Sequence, residues 1–291
     1  MRTSGIAAKV VLSAYFWLFI LFLLAPLVVL VVFAFNDSTT ATLPLEGFTT
    51  AWFSEAFTNG QLTSALLRSA LIAVAAAVLA TMLGLMASVG LTSERLRLRS
   101  LTVAALMLPL VVPYISLAVG LVILLQALSL EASLTAVVLG HVVIALPFAI
   151  LVLFPRLRTL DPAMNEAARD LGATDLSAFR LITLPLLGPA LVSSFLISFV
   201  TSFDEFAIAF FLAPSGEPTY PIFLYASSRT PALLPQVIAI GTLVIALSIA
   251  LVLLAEGGRR WAERRLVGET ETFDDVTDEN LAEGLVMVSK S

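Results

Sequence analysis

An all-α fold embedded in a lipid bilayer is the architecture that this sequence demands. Of its 291 residues, 59% are hydrophobic and only 13% charged, with a mean hydropathy of +1.01. One soluble core could not hide that much apolar surface. Six runs reach the length of about 20 apolar residues that a bilayer core requires. They lie at 11–35, 65–91, 101–128, 133–154, 184–213 and 236–256. None alternates with the two-residue period of an outer-membrane barrel, so the spans are helices.

Basic residues concentrate in the segments that stay in the cytoplasm. Arg2 and Lys9 precede span 1, and Arg95, Arg97 and Arg99 separate spans 2 and 3. Arg156, Arg158, Arg169 and Arg180 separate spans 4 and 5, and Arg259, Arg260, Arg264 and Arg265 follow span 6. The opposite segments hold only Arg229, with Arg68 just inside span 2. This predicts six transmembrane helices with both termini cytoplasmic. It divides the chain into a cytoplasmic N-terminus (1–10), a transmembrane domain (11–256) with a cytoplasmic loop at 155–183, and a cytoplasmic tail (257–291). The net charge of −5 comes largely from that tail, where seven acidic residues fall between Glu269 and Glu283. The tail reads as disordered and solvated.

Span 1 is basic and then apolar, like a secretory signal, but it is too long and lacks a small-residue cleavage site, so it reads as an anchor. The outer segment from Asn36 to Thr63 contains the aromatic-rich stretch Phe48 to Phe53, which belongs at the membrane surface or over the mouth of a cavity. Span 2 carries Ala73, Ala75, Ala76, Ala77, Ala80, Gly84, Ala87 and Ser88. Small residues let helices approach closely in lipid, so this is a central packing helix. Span 3 contains Pro109 and Pro113, followed by Tyr114. The backbone groups that these prolines free cannot face lipid, which makes Pro109 and Tyr114 candidates for the wall of a solute path. Span 4 holds the only histidine, His141, better read as a helix-packing hydrogen bonder than as a ligand. The sequence has no cysteine, and no metal site, nucleophile–base pair or other catalytic constellation can be argued from it.

Span 5 has the strongest polar signal inside the membrane. Ser194, Ser198, Thr201 and Glu205 fall on one helical stripe, and Asp204 sits about 100° round from Glu205. Intramembrane carboxylates are costly and mark functional sites by default. A second reading places the pair at the outer helix end, in contact with headgroups and water. Tyr225, after a proline- and glycine-containing turn, adds an aromatic surface suited to a cation or a gate.

Between spans 4 and 5 lies a polar insert. Asp161-Pro162 opens it as an N-cap followed by proline at the first helical position. A short helix runs from there to about Leu171 and ends at Gly172, where a left-handed conformation is expected. Thr174 caps a second helix that leads through Phe179, Leu181 and Ile182 to Pro185. Glu166-Ala167-Ala168, Gly172 and Ile182-Thr183-Leu184-Pro185 reproduce the spacing E-A-A, three residues, G, nine residues, I-x-L-P. This stretch resembles the cytoplasmic loop of the membrane permease subunits of binding-protein-dependent ABC importers. The resemblance implies a type I importer architecture in which Glu166, Ala167, Ala168, Gly172, Ile182, Leu184 and Pro185 couple to a separate ATPase. Ala163, Ala167, Ala168 and Leu171 would form the docking face, with Arg169, Asp170 and Asp175 around its rim.

The segments SFDEFAIAFFL and PTYPIFLYASSR further resemble the second permease subunit of the spermidine/putrescine-type importers. This resemblance implies a bacterial inner-membrane protein that works with two ATPase subunits, a homologous but different second permease and an extracytoplasmic solute-binding protein. ATP and magnesium would belong to the ATPase, with no cofactor in this chain and no nucleic acid as partner. In that subgroup the carboxylates matching Asp204 and Glu205 are implicated in polyamine passage. Leu110 departs from the subgroup, many members of which carry an acidic residue there. That leaves another cationic or zwitterionic solute, or a ferric, sugar or amino-acid-like one, as an alternative. The rival from a different class is a secondary transporter or channel relaying ions through Asp204, Glu205 and His141. A membrane scaffold without a solute path is a further rival, and the polar stripe of span 5 counts against it. The absence of a Gly-x-x-x-x-Gly-Lys segment, with lysine only at 9 and 290, excludes a P-loop ATPase.

Overall fold

The computed structural model describes residues 3–92 and 98–250. Residues 1–242 form one compact unit, and a second begins at Leu243. Among the described residues the structure is helical, with a single antiparallel bridge between Asn36 and Phe48. In chain order the helices are α1 (Thr3–Ala34), α2 (Ala51–Thr58), α3 (Gly60–Thr92), α4 (Arg99–Val111), α5 (Tyr114–Ala127) and α6 (Leu134–Arg158). Then come α7 (Pro162–Asp170), α8 (Asp175–Ala178), a π-helical turn at Phe179–Thr183, α9 (Leu184–Leu186) and α10 (Gly188–Phe203). The last are α11 (Ala207–Leu212), α12 (Tyr220–Ser227) and α13 (Leu234–Ala250).

Three of these helices are long and apolar enough to cross a membrane: α1 from Lys9, α3 and α6. Two expected spans are broken rather than continuous. The run at 101–128 is split into α4 and α5, which meet at 105°. Val112 precedes a proline and is therefore pushed out of the helical region, to φ −78° and ψ 130°, so α4 cannot continue into α5. The run at 184–213 is broken at both ends. Asp175–Leu186 meets α10 at 67°, with Gly188 and Pro189 starting the new helix, and α10 stops at Phe203 before α11 resumes. Counting each bent pair as one span gives five. Of the sixth expected span, 236–256, the described part is α13 as far as Ala250. The remainder, the tail at 257–291, and Arg95 and Arg97 lie outside the described residues.

The core is built by α3, α6 and α10 packed on one another. On α3 the buried positions Leu62, Ala65, Ser69, Ile72, Ala73, Ala76, Ala77, Ala80, Thr81, Gly84, Ser88 and Leu91 follow the helical repeat as one stripe made mostly of small residues. Gly84 marks the tightest approach to α6: a Cβ there would lie 2.7 Å from the Cβ of Ala149. Gly140 of α6 serves α11 in the same way, since its Cβ would fall 2.6 Å from Ile208 Cγ2. The short α11 is thus an inward-set plug. Its Ile208, Ala209 and Leu212 join Ile72, Ala118, Val137 and Ile144 in the central cluster. By contrast, the apolar side chains of α1 from Val10 to Val32 are largely exposed, as befits a helix that meets lipid or another chain.

Beyond α1 the expected aromatic segment folds back onto the helix end. Phe35 stacks on Phe48 with ring centroids 5.3 Å apart and lies 5.1 Å from Phe53. Trp52 Nε1 donates to the carbonyl of Asn36 at 2.8 Å. Asn59 Nδ2 donates to Gln236 Oε1 at 2.9 Å, tying the start of α3 to α13.

Candidate functional site

Among the described residues, two places carry the polar chemistry that the sequence singles out. The first is the insert between α6 and α10. Asp161 accepts from the N–H of Ala163 at 2.9 Å and thereby caps α7, with Pro162 in the first turn. At the other end, Ala173 N–H reaches the Ala168 carbonyl at 2.9 Å and Gly172 N–H the Arg169 carbonyl at 2.8 Å. This is the paired closure of a helix that ends on a left-handed residue, and Gly172 supplies that conformation with φ +88°. Thr174 Oγ1 accepts from Ser177 N–H at 3.2 Å and starts α8 at once. A hydrogen bond from Thr183 Oγ1 to Asn165 Oδ1 at 3.3 Å ties the second helix back to the first.

Pro185 accounts for the π-helical turn. Its ring would clash with the carbonyl four residues back in a regular helix, and a widened turn ahead of it, closed from Leu184 N–H to the Phe179 carbonyl, avoids the collision. Of the seven motif residues, Glu166, Ala167, Gly172 and Pro185 are exposed and Ala168, Ile182 and Leu184 are half-buried. Of the other residues expected in the docking face, Ala163 and Leu171 are exposed. Leu171 is 90% exposed, and Met164, Leu176 and Leu181 also face outward. Arg169 Nε and Asp175 Oδ1 form an ion pair at 2.8 Å across the joint. Both side chains are exposed, so the pair contributes at most about 1 kcal/mol.

The second place is the corner between α10 and α11. Helix α10 ends at Phe203, and Asp204, Glu205 and Phe206 turn the chain inward. Phe206 occupies the N-cap position of α11 and has no side-chain acceptor to offer. The carboxylate of Glu205 reaches over it. Ile208 N–H is 2.9 Å from both Glu205 oxygens, and Ala209 N–H is 3.1 Å from Oε2. These donors are the orphan amides of a helix start, in a core where water cannot serve them.

Glu205 is 5% exposed, and its remaining neighbour is His141. The imidazole Nε2 lies 3.3 Å from Glu205 Oε2, close but without hydrogen-bond alignment. On its other side, His141 Nδ1 shares a 2.7 Å hydrogen bond with Ser202 Oγ. One ring from α6 therefore touches both sides of the corner. Removing one partner of such a buried set leaves the other without its contact, at a typical cost of about 1–3 kcal/mol.

The carboxylate pair expected as a unit is thus divided. Asp204 is exposed while Glu205 is enclosed. Along α10, Ser194, Ser198 and Ser202 form the buried row that faces the core, with Ser194 Oγ donating to Thr81 Oγ1 of α3 at 3.3 Å. Thr201 is half-buried beside that row. Tyr225 stands next to the corner: its ring is 5.2 Å from Phe206, and the Arg229 guanidinium lies 5.5 Å from the Tyr225 centroid. Pro109 is half-buried in α4, and Tyr114, at the break, packs on the cluster that holds Ile208. Ser202 and the reach of His141 escaped the sequence reading. Ser202 does continue the four-residue spacing of Ser194 and Ser198, which is the signal that could have found it.

Comparisons with known proteins bear on both places. Residues 80–268 match the family described as binding-protein-dependent transport system inner membrane component. The spermidine/putrescine transport system permease protein PotC of Haemophilus influenzae is 32% identical over 244 residues, spanning 84% of this chain and 94% of that protein. The putrescine transport system permease protein PotI of Escherichia coli is 35% identical over 232 residues, spanning 77% and 82%. Among solved structures, the fold is similar to a bacterial ABC transporter involved in the import of the acidic polysaccharide alginate. The TM-score is 0.64 at 17% identity, over 88% of this chain and 96% of that one. It is also similar to the MetNI methionine ABC transporter in an inward-facing conformation, with a TM-score of 0.54 at 20% identity over 68% and 92%. At those identities the structural likeness speaks for the fold alone.

Proposed function

This chain belongs to the binding-protein-dependent transport system inner membrane component family, and on that premise we propose that it is one permease subunit of an ATP-driven importer of polyamines. Its partners are two ATPase subunits, a second permease and an extracytoplasmic binding protein. The chain moves its solute without transforming it, and the ATPase supplies the hydrolysis. Relatives named for spermidine and putrescine transport, at 32% and 35% identity, support the solute class.

The observation that carries the coupling role is the rigid helix pair of α7 and α8. Its ends are closed by Asp161, Gly172 and Thr174, yet its apolar side chains Leu171, Met164 and Leu176 stand exposed. A braced element with an unpartnered apolar face transmits force well, because little of a push is lost to internal rearrangement. Glu166 and the flanking alanines allow a partner to approach closely. On the solute side, the exposed Asp204 supplies the negative charge that a polycation needs on its way through a low-dielectric path. Tyr225, Tyr114, Pro109 and Thr201 are the other candidate path residues, whereas Ser198 is wholly buried in the α10 row that faces the core.

Uptake of labelled putrescine or spermidine into right-side-out vesicles, containing the assembled complex and supplied with binding protein, tests this reading. Uptake should require ATP inside the vesicle and survive collapse of the proton gradient. Uptake that instead follows the gradient and ignores ATP would assign the chain to secondary transport.

A further inference from the structure

We propose that Glu205 is a positioning residue rather than a path residue: with His141 and Ser202 it locks the α10–α11 corner, and the lock turns Asp204 outward as the one carboxylate of the pair that meets the solute. The inference rests on the permease reading for its solute and on the corner's geometry for the rest.

Both oxygens of Glu205 are already engaged. They take the N–H groups of Ile208 and Ala209 in three contacts of 2.9, 2.9 and 3.1 Å, and Oε2 also lies 3.3 Å from His141 Nε2. A passing cation would have to displace these contacts inside the core. The groups that hold Glu205 belong to different elements. His141 comes from α6 and Ser202 from the last turn of α10, and the amides open α11. All three side chains of the lock are at most 5% exposed. Helix α11 in turn fills the centre of the molecule through Ile208, Ala209 and Leu212, so the corner is fixed from both sides.

Asp204 is the residue immediately before Glu205. It is exposed, and among the described residues its carboxylate has no hydrogen-bond or ion-pair partner. A carboxylate in that position cannot be left to lipid, so it faces water or a neighbouring subunit across the path. Phe206, on the far side of Glu205, leans on Tyr225. The corner thereby presents a carboxylate and an aromatic surface, both set by the buried residue between them. If the lock opens, the amides of Ile208 and Ala209 lose their acceptor and Asp204 loses its heading together.

The chain has no native cysteine, so single cysteines can be read cleanly in the assembled complex in membranes. With a cationic, water-soluble methanethiosulfonate, Asp204→Cys should react about tenfold faster than Glu205→Cys, the contrast between an open and an enclosed thiol. In the Asp204→Cys chain, adding His141→Gln or Glu205→Gln should change that reaction rate severalfold. This second comparison stands even where Glu205→Cys does not insert. In spermidine-stimulated ATP hydrolysis, Asp204→Asn should raise the half-saturating concentration by about tenfold, the scale of one lost charge-assisted contact. Glu205→Gln should lower the maximal rate, retain more of it than Glu205→Ala, and raise the half-saturating concentration by less than Asp204→Asn does. Equal labelling of Asp204→Cys and Glu205→Cys, a labelling rate of Asp204→Cys left unaltered by both lock variants, or a half-saturation shift in Glu205→Gln matching that of Asp204→Asn would each overturn the assignment. The labelling contrast needs no solute. A complex that ignores spermidine but labels as described would therefore contradict the proposed solute and leave the lock intact.

Discussion

Gly84 and Gly140 show how little room single residues have in this molecule. Each stands where a second helix passes so closely that a β-carbon would overlap it, at Ala149 and at Ile208. Gly140→Ala should destabilise the purified protein by about 1–3 kcal/mol, the usual cost of overpacking. Ile208→Ala in the same chain should recover part of that loss, because it removes the methyl group that the new side chain meets. Thermal denaturation in detergent of the two single variants and the double variant checks this, and simple additivity would contradict it. At Gly172 nothing lies within 4 Å, so the cost of Gly172→Ala is conformational alone. With φ at +88° it should come to about 1–2 kcal/mol, felt as lost coupling with the melting of the membrane core unchanged. The residue scale also shows why the sequence was only partly legible. Gly172 announces itself through local rules of helix ends. Glu205 does not, because its partners are amides hidden behind Phe206 and a histidine far back in the chain. Stripe geometry on a continuous helix placed Glu205 beside Ser198, and the end of α10 at Phe203 removes that premise.

Among elements, the capped helix pair α7–α8 and the broken spans differ in how local the causes of their geometry are. The caps at Asp161 and Thr174 and the stop at Gly172 follow from nearest-neighbour chemistry, and so did their placement from sequence. The breaks in the third and fifth apolar runs were signalled by proline and glycine, but composition alone cannot say how far a chain turns. The angles are 105° and 67°, and of these segments α5 packs on the inward plug α11, a contact that local composition does not reveal. A contrast within the loop tests which of its features matter. Leu171→Glu places a charge on the exposed apolar face and should abolish solute-stimulated ATP hydrolysis while leaving the chain inserted. Asp175→Asn breaks an exposed ion pair worth at most about 1 kcal/mol and should leave stimulation nearly intact. Loss of stimulation in Asp175→Asn with retention in Leu171→Glu would reverse the roles given to the face and its rim.

For the molecule as a whole, apolar exposure is the main fact. Side chains of α1, the outer face of α3, and Leu171 and Leu181 of the loop are all open in the single chain. The first two fit lipid or a second membrane subunit. Those of the loop lie on segments too polar for lipid and call for a protein partner. Hydropathy and basic-residue bias were enough to read a helical membrane protein from the sequence. Spacing within one loop was enough to read its family. What stayed hidden was the interior arrangement around α11, since contacts between residues far apart in sequence leave no mark on local periodicity.

The central claim, that this chain is the permease half of an ATP-driven machine, is tested most directly by isolating it from native membranes in mild detergent and measuring ATP hydrolysis with and without solute-loaded binding protein. The account predicts a complex holding an ATPase and a second permease, whose hydrolysis rises with spermidine- or putrescine-loaded binding protein and no longer does so in Leu171→Glu. A chain recovered without an ATPase, and moving solute in vesicles that contain no ATP, would contradict it.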